Sequence, residues 1–154
     1  MDTAGSEAVI GELAASRAQF DALLRVADLD AWVNRATGRR AIDVVAHVAQ
    51  WDEHAAASLE AFAAGGESRL GAPFEIHAEN QRIFELHRAR PRDEVLAFLG
   101  ESRRRLVAAA RSVPAGRWEG PVTYPWGAQG GVGELLADMR GHEEHHGKQI
   151  RAAR

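Results

Sequence analysis

Apolar residues recur at three- and four-residue spacing along four long stretches of the chain, separated by polar segments rich in glycine and proline. In the first stretch Val9, Ile10, Leu13, Phe20, Leu23, Leu24 and Ala27 form one stripe, which predicts a helix from Ser6 to Leu29. Thr3 or Ser6 is placed to cap it, with Glu7 in the first turn where the helix dipole favours an acid. The polar segment Asn34 to Arg40, which contains Gly38, connects it to the second stretch.

Val44, Val48, Trp51, Ala55, Leu59 and Phe62 line the inner face of a second helix, Ala41 to Ala64, which Gly65-Gly66 should stop. A shorter helix is expected over Phe74 to Arg88, on Ile76, Ile83, Phe84 and Leu86. Pro91 suits the first position of a further long helix that carries Val95, Leu96, Phe98, Leu99, Leu106 and Val107 and ends near Val113-Pro114. Residues 114 to 131 hold Pro114, Pro121, Pro125, several glycines, Trp118, Tyr124 and Trp126, and read as a long loop of the kind that often carries function. The last helix runs from Val132 to the C-terminus. Four amphipathic helices with almost no strand alternation predict an all-α fold, a four-helix bundle with long crossover connections.

A length of 154 residues suits one domain, 1–154. The formal net charge of −3 argues against a nucleic-acid partner. The run Arg103 to Arg105 reads as a solvated helix face. No apolar stretch is long enough for a membrane span, and Glu7, Glu12 and Arg17 break any leader-like segment, so a cytoplasmic location is expected. With no cysteine present, thiolate nucleophiles and cysteine-ligated metals are excluded. A metal would have to be held by His, Asp, Glu or backbone oxygen.

Histidine is where chemistry can gather. His142 and His146 stand four residues apart, on or at the edge of the stripe marked by Leu135, Met139 and Ile150, so both imidazoles share the inner face. His145 falls outside it. His47 lies at the edge of the second helix's stripe, and His54 slightly further out. Three nitrogens from two helices, with coordination positions left open, is how catalytic zinc sites are arranged. His142-Glu143-x-x-His146 formally matches the zincin protease motif, but none of the eight residues after His146 is His, Asp or Glu to serve as third ligand. A di-iron bundle needs a second Glu-x-x-His, which is absent.

Asp43 to Trp51, an apolar stretch carrying His47 and then Trp51, and Gly141 to Ile150, with two histidines four apart followed by Gln149-Ile150, resemble the signatures of the DinB/YfiT-like superfamily of small metal-binding four-helix bundles. Ile76 to Asn80 resembles the middle segment of the branch containing ClbS/DfsB-like proteins and the thiol-dependent maleylpyruvate isomerases. The resemblance implies a divalent ion on His47, His142 and His146, an up-down-down-up bundle and a homodimer, and three neutral nitrogens suit zinc, nickel or iron(II). It also implies a small-molecule substrate with a low-molecular-weight thiol such as mycothiol or bacillithiol, in a transferase, isomerase or hydrolase reaction, with a stress or detoxification role. The family position after the first histidine of the pair is often aromatic or apolar. Here it is Glu143, left with three readings: a general base, a partner to a ligand histidine, or a salt bridge to an arginine. Trp51, Asn80, Tyr124 and Trp126 are the expected substrate-binding residues, with Trp118 beside the loop aromatics. A non-catalytic metal- or ligand-sequestering bundle is the alternative to an enzyme.

Overall fold

The computed structural model describes residues 1–154. Five α-helices account for most of the chain: α1 (Thr3–Leu24), α2 (Ala41–Ala63), α3 (Ile76–His87), α4 (Arg92–Ser112) and α5 (Val132–Ala152). Two small antiparallel hairpins were not anticipated. Strands β1 (Trp32–Asn34) and β2 (Arg39–Arg40) fill the α1–α2 connection, and β3 (Val122–Thr123) and β4 (Gln129–Gly130) fill the long loop before α5. Strands of two or three residues leave no alternation to read. No helix is long and apolar enough to cross a membrane.

Residue pairs fix the helix directions. Ser16 meets Glu143, and Phe20 lies against Gly147, so α1 and α5 run parallel. Asp52 meets Arg103 and Glu60 meets Arg105, so α2 and α4 also run parallel. Glu7 with Arg111 and Leu13 with Arg103 set α1 antiparallel to α4. Trp51 approaches both His142 and Trp126, the latter before the start of α5, while His47 lies near His146, so α2 opposes α5. The result is an up-down-down-up bundle, with α3 riding on the crossover between the two parallel central helices.

Helix ends follow local chemistry. Asp2, rather than Thr3 or Ser6, caps α1, its Oδ1 accepting from the Gly5 N–H at 2.8 Å. α1 also stops at Leu24, short of Leu29, which is buried beyond the helix end. α2 ends as the Gly65-Gly66 pair predicts: Gly65 has φ +86°, and the Gly66 N–H donates to Ala61 O at 2.8 Å. On α3 only Ile83 of the four apolar residues that mark the helix is buried, while Ile76 and Leu86 are exposed. That helix is one wall laid over the bundle, not a full member of it.

The core is divided in two. One apolar cluster contains Leu13, Leu59, Leu106 and Leu136; the other contains Phe20, Val45, Leu99 and Ile150. Between them lies a layer to which each of the four long helices contributes one charge: Arg17, Asp52, Arg103 and Glu143, all buried. Arg17 Nε donates to Glu143 Oε2 at 2.6 Å and its Nη2 to Asp52 Oδ2 at 2.9 Å. Arg103 Nε donates to Asp52 Oδ2 at 2.9 Å and its Nη2 to Glu143 Oε2 at 3.1 Å. Two cations face two anions, and Leu99 O, Leu13 O and the Ser16 hydroxyl take up further hydrogen bonds. The solvated reading of the arginine run is therefore corrected. Arg104 is exposed, but Arg103 is interior, and Arg105 pairs with Glu53 and Glu60.

Candidate metal centre

His47 projects from the middle of α2, and His142 and His146 from successive turns of α5. Because those helices are antiparallel neighbours, the three imidazoles meet. His142 Nε2 lies 3.0 Å from His47 Nε2 and 3.0 Å from His146 Nε2. One ligand nitrogen from each of the three residues falls within 4.8 Å of the others. His54 and His145 stand outside this cluster. His54 Nε2 is 2.9 Å from Glu79 Oε1, and His145 is exposed.

The protonation states follow from the surroundings. His146 Nδ1 donates to Gln149 Oε1 at 2.7 Å, which leaves its Nε2 as a lone pair aimed at the cluster. Burial, and then the neighbouring His146, push the His47 pKa down to about 3. Burial, with His146 and His47 beside it, pushes His142 to about 2. Burial also lowers His146, against the opposing pull of Gln149. All three rings are therefore neutral at pH 7.

Neutral imidazoles cannot satisfy both 3.0 Å contacts. With a lone pair on His146 Nε2, a single proton on His142 Nε2 serves one contact and leaves the other unserved. A shared cation removes the conflict, since every nitrogen then presents a lone pair. Nitrogens bound to one tetrahedral zinc ion at about 2.0–2.1 Å stand roughly 3.3 Å apart. Two of the three pairs are already close to that spacing. The donor set suits a divalent ion, and the Gln149 contact is the kind of outer hydrogen bond that fixes a ligand tautomer.

The cluster opens onto a cavity of about 910 Å³. Trp51, Asn80 and Trp126 line it, and the Trp51 Nε1–H donates to Asn80 Oδ1 at 3.1 Å. Tyr124 does not line it. Its hydroxyl donates to Gly131 O at 2.7 Å, and its ring supports Trp126 from behind at a centroid distance of 5.4 Å. Trp118 is likewise an anchor, buried with its Nε1–H on Val113 O. Of the three roles open to Glu143, the structure shows the salt bridge. Its carboxylate is taken by Arg17, Arg103 and Ser16 and does not line the cavity with the histidines, so the general-base role is corrected.

The model of one family, the mycothiol maleylpyruvate isomerase N-terminal domain, matches residues 13–145. The chain belongs to that family. Through it the chain falls within the DinB/YfiT-like superfamily, and its helical bundle agrees with that placement. No curated protein and no solved structure matches the chain.

Two features of the site escaped the sequence reading. Arg39 and Gln149 both line the cavity; Arg39 sits in no pattern that sets it apart from surface residues, and Gln149 stood in the last-helix signature with no role of its own. The ionic layer did leave a signal. Arg17 keeps the spacing of Leu13 and Phe20, Asp52 that of Val48 and Ala55, Arg103 that of Leu99 and Leu106, and Glu143 that of Met139 and Ile150. Four charges in core phase, two of each sign, mark a buried network.

Proposed function

We propose that this protein is a divalent-metal-dependent enzyme acting on a small molecule, with His47, His142 and His146 as the metal ligands. The observation that carries the reading is the convergence of three neutral imidazoles beside an open cavity large enough for a small organic molecule. A bound divalent ion would supply Lewis acidity and lower the pKa of a water or thiol near it. The chain has no cysteine, so a thiol reaction would draw its sulfur from a low-molecular-weight thiol, in keeping with the family.

The protein's own groups would divide the remaining work. Gln149 holds the His146 tautomer. Trp51, Asn80 and Trp126 would pack against the substrate and fix its orientation, with Asn80 held by the indole N–H of Trp51. Thiol-dependent transfer, isomerisation and hydrolysis all fit this arrangement. The test is to load the purified protein with zinc, nickel or iron(II) and assay thiol conjugation of an electrophilic substrate with mycothiol or bacillithiol. Metal-dependent turnover that disappears in His47→Ala supports the enzyme; tight metal binding with no turnover of thiol or ester substrates supports a sequestering bundle.

A further inference from the structure

Arg39 is a half-buried cation in the cavity wall with no carboxylate partner. Some arginines around the bundle are paired, such as Arg105 with Glu53 and Glu60, Arg111 with Glu7 and Arg82 with Glu79, and others, such as Arg35 and Arg88, are not; Arg39 is the arginine that lines the cavity. Arg39 forms no ion pair. Its Nη2 instead donates to Gln81 Oε1 at 2.9 Å, and its guanidinium carbon sits 4.5 Å from the centroid of the Phe84 ring. Both supports come from α3, while Arg39 itself comes from β2, immediately before α2. The planar group is thus stacked and tethered, which lowers the entropy lost when it takes a ligand.

Asp43 and Asp138 also line the cavity, and neither forms an ion pair with Arg39. Asp43 Oδ2 accepts from the Arg40 N–H at the start of α2, and Asp43 makes no salt bridge with Arg39. Asp138 stands one turn before His142 on α5, towards the end of the cavity nearer Trp126, because α5 runs against α2. A fixed, unpaired guanidinium presents donors in the fork that matches a carboxylate or phosphate. Trp51, Trp126 and Met139 provide an apolar surface in the same cavity.

We infer that Arg39, held by Gln81 and Phe84, anchors an oxyanion group of the small molecule that occupies the cavity, so that the ligand is an amphipathic acid whose apolar body lies against Trp51 and Trp126. This rests on the cavity being the small-molecule site, as the proposed function holds. Arg39 then sets specificity by charge, apart from whatever the histidine cluster does.

The experiment compares phenylacetate with phenylacetamide, an acid and its neutral near-isostere, by quenching of tryptophan fluorescence or by calorimetry. It uses chelator-treated and zinc-loaded full-length protein, with zinc content measured in the same samples. Phenylacetate is expected to bind about tenfold more tightly than the amide in both forms. Arg39→Gln should erase that preference, Arg39→Lys should keep part of it, and Gln81→Ala should weaken it with all charges in place. Unchanged melting temperatures for these variants show that the fold is intact. Equal affinity for the two probes, no measurable binding of phenylacetate, or a preference that survives Arg39→Gln overturns the inference. A preference confined to zinc-loaded protein also overturns it, because the metal would then be holding the acid. Failure of the metal-centre reading looks different: no zinc is retained, while the acid preference persists.

Discussion

Arg17 on the first helix and Glu143 on the last are joined Nε to Oε2 at 2.6 Å, with both side chains out of water. Glu143 directly follows His142, so this contact, outside the cavity lining, ties α5 to α1. Arg103 ties the same carboxylate to Asp52, five residues beyond His47 on α2. The charged layer therefore clamps the two helices that bear the imidazoles. Apolar packing alone tolerates small shifts of register; paired charges that must all be satisfied do not.

Removing one member of that layer strands the others. Arg103→Met should lower stability by about 3–5 kcal/mol, because Asp52 and Glu143 are left buried with one cation between them. Urea denaturation of the metal-free protein measures it. A loss no larger than that from the exposed neighbour, Arg104→Met, would show that the layer does not hold the bundle together.

The loop aromatics should separate by role. Tyr124→Phe removes the hydrogen bond to Gly131 O and should cost about 1 kcal/mol of stability while leaving ligand binding nearly unchanged. Trp126→Ala, which strips a cavity wall, should weaken small-molecule binding and alter stability less than truncation of buried Trp118 does. Chemical denaturation and ligand titration on the same three proteins check both halves.

Much of this bundle could be read from the sequence, for physical reasons that differ between elements. The four long helices bury continuous stripes, so their periodicity is strong, and the Gly65-Gly66 stop is set by backbone conformation. The histidine cluster was legible because four-residue spacing on one helix fixes which face two side chains share. The short hairpins were not legible, since strands of two or three residues owe their form to tertiary position. Glu143 was left open between chemistry and a salt bridge because its angle places it inside the bundle without saying which neighbour it meets. Arg39 was invisible, because what distinguishes it is its place in the cavity wall, stacked on Phe84 and tied to Gln81, and only the fold shows that.

Acid should destabilise the metal-free protein earlier than its carboxylates alone would. An unfolded histidine titrates near 6.5, whereas burial holds folded His47 down at about 3 and His142 at about 2. Below pH 6.5 the unfolded chain thus binds protons that the folded chain refuses. The stabilising contribution of these neutral rings is complete above that pH and is lost progressively as pH falls towards 3. The urea midpoint should drop between pH 7.5 and 5.0, and the drop should shrink in a His47→Leu, His142→Leu double variant. An identical drop in both proteins would assign the effect elsewhere.

The same depression moves the pH window for metal binding. From ordinary histidine pKa values, proton competition would begin near 6.5. With His47 and His142 held neutral, affinity between pH 7 and 5.5 should change less than three independent histidines would require. Competition titration with a chromophoric chelator at several pH values reads this directly.

The central claim is that His47, His142 and His146 hold one divalent ion between two antiparallel helices. Its most direct test is elemental analysis of the purified wild type and of His47→Ala, His142→Ala, His146→Ala and His145→Ala, all reconstituted with zinc and passed through the same desalting. Close to one zinc per chain is expected for the wild type and for His145→Ala, with a sharp loss in each of the other three. Equal zinc content in the wild type and His47→Ala would contradict the account.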